Sequence, residues 1–126
     1  MKTEGDEHLK RRYERFEVPT GSLQKQSIKR KGILSVLGSS DCTVKDLSQA
    51  GALLTTKMSL SPGAGVVLTL EFVTGENITL EGEVANSSLD VAKDVTRLGI
   101  AFDPVTLTSS AGQFLASLKQ RFGKKV

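Results

Sequence analysis

Between residues 66 and 72 the chain reads VVLTLEF, with Val66, Leu68, Leu70 and Phe72 on one parity and Val67, Thr69 and Glu71 on the other. That period of two belongs to a strand with one buried face, and an α-helix cannot use it because 3.6 residues per turn would scatter the apolar set around the axis. The same pattern returns at once. After TGEN, residues 74–77, whose composition is that of a turn, ITLEGEV places Ile78, Leu80, Gly82 and Val84 on one face and Thr79, Glu81 and Glu83 on the other. Two alternating runs joined by a short turn predict a hairpin. A polar loop, NSSLDVAKD, follows, and then TRLGIAF alternates again, with Leu98, Ile100 and Phe102 opposite the small Gly99 and Ala101. Small residues on one face of a strand imply close packing on a curved sheet.

Upstream, residues 52–56 read as a strand closed by the Ser-Pro-Gly turn at 61–63, and IKRKGILSVLGSSDCTVKDLS holds one or two more, punctuated by Gly32 and Gly38. Past Pro104 the period changes: Ala111, Phe114, Leu115, Leu118 and Phe122 recur at helical spacing, with Ser109 or Ser110 able to cap the first turn and Gly123 able to end the helix. Five or six short, mostly antiparallel strands and one terminal helix predict a mostly β fold, a small β-barrel with a C-terminal α-helix packed on it. A length of 126 residues suits one such domain. Residues 1–15 form a flexible basic arm in this division and residues 16–126 the barrel with its helix.

Composition narrows the function. No apolar run approaches the ~20 residues of a membrane span, and MKTEGDEHLK carries acidic residues where a signal peptide would be apolar, so a cytoplasmic location is expected. Cys42 is the sole cysteine and His8 the sole histidine. A disulfide and a multi-thiolate metal site are therefore excluded within one chain, Cys42 is expected as a small, partly buried apolar residue, and no base is available to activate it. No glycine-rich phosphate loop precedes a helix, so the expectation is a protein without catalysis or cofactor. Charge is placed unevenly: Lys10, Arg11, Arg12 and Arg15 cluster near the start, Lys29, Arg30 and Lys31 in the first third, and Lys119, Arg121, Lys124 and Lys125 at the end. Such clusters favour an anionic partner without choosing between nucleic acid, a membrane surface and a phosphate-bearing small molecule.

Two stretches carry the choice. RRYER, residues 11–15, sets two arginines four apart directly before the chain turns apolar, and DLSQAG, residues 46–51, lies between two expected strands. Asp46 and Ser48 are two apart, so an extended segment projects them from one face. A carboxylate can accept from a guanine edge, a hydroxyl can donate to phosphate, and a glycine admits close backbone approach. Alone, DLSQAG reads first as an Asx or Ser turn closing a hairpin.

Together, in this order and on a barrel-like background that ends in RLGIAF and an amphipathic helix, the two stretches resemble the PilZ domain family, whose signature is Arg-x-x-x-Arg followed by Asp/Asn-x-Ser-x-x-Gly. The resemblance implies a six-stranded antiparallel β-barrel that binds cyclic di-GMP. It implies Arg11 and Arg15 as a clamp on guanine and phosphate, with Arg12 beside them as a further phosphate contact. It implies Asp46 on a guanine amino edge, Ser48 donating to phosphate or supporting the turn, and Gly51 holding the backbone. These are expected to be exposed site residues. The implied function is a receptor or adaptor whose surface and arm change on ligand binding and signal to a downstream protein of motility, biofilm or virulence machinery. The interval between Arg15 and Asp46, rich in lysine and glutamine, departs from a plain first strand and reads as an insertion or a distorted one. The alternatives are a basic barrel for single-stranded nucleic acid, for which only Tyr13 and Phe16 remain as stacking platforms, and a PilZ adaptor that works without ligand.

Overall fold

Val66, Leu68, Leu70 and Phe72 all point into the core, as do Ile78, Leu80 and Val84, so the period of two has become the inner wall of a closed sheet. The structure is a computed structural model that describes residues 13–19, 21–32, 38–106 and 108–123. Its strands are β1 (Phe16–Glu17), β2 (Leu23–Arg30), β3 (Ser39–Leu47), β4 (Gly51–Thr56), β5 (Gly65–Phe72), β6 (Asn77–Asp90) and β7 (Val95–Phe102). β2 pairs β5, and the ladder continues through β6, β7 and β4 to β3, which returns to β2. Every pairing is antiparallel, and the six strands β2 to β7 close into a barrel. Closure satisfies both edges of most strands, which is how a small one-faced sheet avoids open backbone.

β3 is shared. Its first residues pair β2 at Ser39, Ser40 and Asp41, and its last pair β1 at Asp46 and Leu47. Between these contacts Gln26 reaches across from β2, and its side-chain oxygen accepts the backbone N–H of Val44 at 2.7 Å. This explains the weak alternation before Asp46. A side-chain amide supplies a bond that the ladder does not, and Ile28 alone in β2 is fully buried.

The C-terminal helix is two helices, α1 (Ser110–Ala116) and α2 (Leu118–Phe122), where continuous apolar spacing predicts one. Ser117 makes the break: its N–H and its hydroxyl both donate to the carbonyl of Phe114, a local bond that competes with the i−4 ladder. Ser109 caps α1, its Oγ accepting from Gly112 N–H at 2.9 Å, and Gly123 ends α2 at φ 73°. The pair is fastened to the β5–β6 turn. Phe114 packs on Phe72 at 5.7 Å between ring centroids, and Arg121 lies 4.8 Å over the Phe114 ring while its fork meets both Glu76 oxygens at 2.8 and 2.7 Å.

The second departure is the expected polar loop at 86–94. β6 runs on to Asp90, and only residues 91–94 turn, with Asp94 at φ 54°. Beyond the last pairing with β5 no residue of the strand is buried, so polar residues are tolerated and no alternation marks them. No helix among the described residues is long and apolar enough to cross a membrane.

Candidate functional site

Two extra residues, one in β3 and one in β6, decide which side chains face outward. In the β3–β4 ladder Val44 faces Leu54, Asp46 faces Leu53 and Leu47 faces Ala52, so Lys45 is skipped. Without that bulge Asp46 would share the inward side of Val44. With it, Leu47 goes into the core at 0% exposure and Asp46 turns to the outer face. β6 repeats the device: Val84 faces Ile100 and Asn86 faces Gly99, with Ala85 skipped, which brings Asn86 outward as well. One row then runs across five strands, Glu17–Asp46–Leu53–Gly99–Asn86.

The row crosses a cleft of about 260 Å³ lined by Arg15, Asp46, Ser48, Gly51, Asn86 and Gly99, among others. Gly99 is its floor. A Cβ there would lie 2.7–3.0 Å from the side-chain amide of Asn86, so the missing side chain is what lets Asn86 lie flat across the strand. At the upper rim Ser48 closes the β3–β4 turn. Its Oγ accepts the N–H groups of Ala50 and Gly51, both at 3.1 Å, and its own N–H donates to Gly51 O at 2.8 Å. The hydroxyl is thus committed to the turn. Gly51 is required by its neighbour, since a Cβ there would fall 2.1 Å from the carbonyl oxygen of Ile100 in β7.

Asp46 is only 6% exposed although it faces outward, which corrects the expectation of an exposed site carboxylate. Burial pushes its carboxyl above the ordinary range, and the nearby Arg15 guanidinium pulls partly the other way. Arg15 itself is exposed and stands one residue before β1. β1 is held by Phe16, buried at 5%, by its pairing with Asp46 and Leu47, and by a bond from Val18 N–H to the carbonyl of the bulge residue Lys45. The cleft therefore sets a fixed acceptor, a fork of cationic donors and an amide able to do both within one outer surface.

Of the residues singled out in the sequence, Arg15, Asp46, Ser48 and Gly51 come together here. Arg11 and Arg12 lie outside the described residues. Asn86, Gly99 and Ala101 were not singled out; the small pair in RLGIAF was their only trace. Phe16 is withdrawn as a stacking platform because its ring is in the core, while Tyr13 is 41% exposed. Cys42 is buried on the inner wall, and burial together with Asp41 pushes its thiol up to about 12.

A model of the PilZ domain matches residues 9–118. Among solved structures, the chain is similar to the PilZ domain with c-di-GMP of YcgR from Escherichia coli, with 16% identity, a TM-score of 0.60, and coverage of 87% of this chain and 92% of that one. It is also similar to the Bacillus subtilis inhibitor of motility MotI/DgrA, at 14% identity and TM-score 0.60 over 88% of this chain and 50% of that one. The K. pneumonia MrkH–c-di-GMP complex matches at 21% identity and TM-score 0.57, over 87% and 49%. The chain thus spans about half the length of MotI and of MrkH. No curated protein matches in sequence. The chain belongs to the PilZ domain family, a family of c-di-GMP receptors that are typically non-catalytic.

Proposed function

We propose that this PilZ domain binds cyclic di-GMP in the cleft between the β3–β4 turn and the β6–β7 pair, and passes the bound state to a downstream protein. The observation that carries the proposal is the meeting of Arg15 with Asp46, far apart in the chain, on one outer cleft. Asp46 accepts from a guanine amino edge, and Arg15 donates to guanine O6/N7 or to a phosphate. Arg11 and Arg12 supply the remaining phosphate contacts. Ser48 and Gly51 act through the turn, since the Ser48 hydroxyl already serves two backbone N–H groups.

Volume supports a partial enclosure. About 260 Å³ lies below the ~300–1,000 Å³ of pockets that bury a whole drug-sized ligand, so the cleft seats one part of the dinucleotide and the arm must cover the rest. Each charge-assisted bond contributes roughly 1.5–3 kcal/mol, and ordering the arm costs about 1–2 kcal/mol per residue. The near-balance leaves an affinity on the order of micromolar, about −8 kcal/mol, suited to a reversible switch.

Calorimetric titration with cyclic di-GMP, GTP and a short single-stranded oligonucleotide tests this at low and moderate salt. Mildly salt-sensitive binding of the cyclic dinucleotide is expected, because it carries two phosphates and no condensed counterions. A nucleic-acid binder touching about 6–10 phosphates would lose roughly 10³–10⁵ in affinity between 50 and 200 mM salt. Silence toward cyclic di-GMP would return the domain to a ligand-independent adaptor, and tight oligonucleotide binding would overturn the choice of ligand.

A further inference from the structure

Beyond the Glu83–Gly65 pair β5 leaves β6, and the last backbone bonds on that side join Val84 to Gly63 and Ala64. β6 then continues through residues 86–90, paired with β7 on one side alone. Among the described residues no backbone bond reaches the other side of this stretch. Beyond the bulge at Ala85 the register against β7 is regular from Asn86 to Asp90, so the stretch is an open edge.

Natural edges are blunted by charged residues, above all lysine, by proline, by bulges or by extreme shortness. The residues here are Asn, Ser, Ser, Leu and Asp, without lysine or proline. The same hairpin carries the two most exposed large apolar side chains among the described residues, Leu89 at 66% and Val91 at 79%. An open ladder and an uncovered apolar pair therefore coincide in one place, though each alone is unremarked in many proteins.

We infer that this edge pairs antiparallel with the same edge of a second copy of the chain, about a two-fold axis at Leu89. The stretch is complementary to itself in that register. Leu89 faces Leu89, Ser87 faces Val91, and each Asp90 carboxylate faces a Ser88 hydroxyl, so no like charges are opposed across the axis. Both exposed apolar side chains gain apolar or neutral neighbours. Asn86, at the root of the edge, also lines the ligand cleft, so each cleft lies beside the seam. The contact is short, well under the ~800 Å² per partner of a standard interface. The dimer is therefore weak and concentration-dependent, and the two-fold closes it at two chains.

Sedimentation velocity of the whole chain without ligand, from about 10 μM to about 1 mM, tests it. The expected result is a weight-average mass that climbs from 13.5 kDa toward twice that value. Leu89→Lys places two cations on the axis and weakens association at least tenfold. Val91→Lys weakens it less, and both variants keep the parent's melting temperature because the replaced side chains are exposed. A monomer throughout the range overturns the inference. So does a dimer that both substitutions leave intact, or a mass that grows past two chains.

Discussion

Gly51→Ala is expected to destabilise the free protein, because the demand for glycine there is made by the barrel itself. The added Cβ would sit 2.1 Å from Ile100 O and 3.3 Å from its carbonyl carbon. Both atoms belong to the β7 backbone and cannot rotate aside. Relief requires β4 to draw away from β7 at the Gly51–Ala101 pair, where the Ser48 turn is also anchored. Overpacking of this kind costs about 1–3 kcal/mol, and a strained ladder bond adds about 1 kcal/mol. At about 4 °C per kcal/mol for a domain of this size, the melting temperature should fall by about 8–16 °C. Thermal unfolding followed by far-UV circular dichroism, without ligand, measures it. Gly65→Ala is the control, since a Cβ there meets only the Lys31 side chain at 3.3 Å, which can move. Its cost should stay under about 1 kcal/mol. A Gly51→Ala protein that melts with the parent would refute the close-approach argument, and loss of cyclic di-GMP binding at unchanged stability would move this glycine's role to the ligand.

Asp46→Asn should bind cyclic di-GMP at least tenfold more weakly, about 1.4 kcal/mol, yet melt higher than the parent at pH 7. Burial raises the folded carboxyl above its ordinary 3.8, so the native state holds the proton longer and stability falls as pH rises through that window. The gain should vanish in melts below the ordinary value, and a lower melting temperature at pH 7 would contradict the sign. Arg15→Ala should weaken the same binding at least tenfold with stability nearly unchanged, and should push the Asp46 titration, read by NMR, further upward by removing the charge that lowers it. Arg121→Met should cost about 1–2 kcal/mol in chemical denaturation, from a part-exposed ion pair and a cation–π contact. Arg121 holds the Glu76 carboxyl below 4.5, so that contribution is present above the ordinary value and is lost as pH falls through the folded one. Cys42 should react with a thiol reagent at pH 8 only after denaturant is added, given a thiol pushed up to about 12.

The barrel strands were legible where one face is buried and the other wet, because burial then writes itself into every second residue. Val66 to Phe72 and Ile78 to Val84 are of that kind. Residues 86–90 lie beyond the last pairing with β5 and none of them is buried, so their strand left no period and read as a loop. The split at Ser117 was hidden for another reason: the apolar spacing continues through it, and the break comes from one serine's local bonds. For the candidate site, the resemblance to the PilZ signature singled out Arg15, Asp46, Ser48 and Gly51, which line one cleft. It could not show that Asp46 faces outward, because the parity of Cys42 and Val44 points it into the core and a bulge has no mark of its own in DCTVKDL. Asn86 was invisible for the same reason, its place depending on a skipped Ala85 and a missing side chain at Gly99.

The two-residue strand β1 limits how far Arg15 can move from the cleft. A tethered segment searches a volume set by its length, and its effective concentration at a target falls as that length grows. Arg15 is one residue from Phe16, whose ring is fixed in the core, so its tether is about one peptide unit, ~3.5 Å. An anion entering the cleft would therefore meet Arg15 with little backbone freedom left to lose.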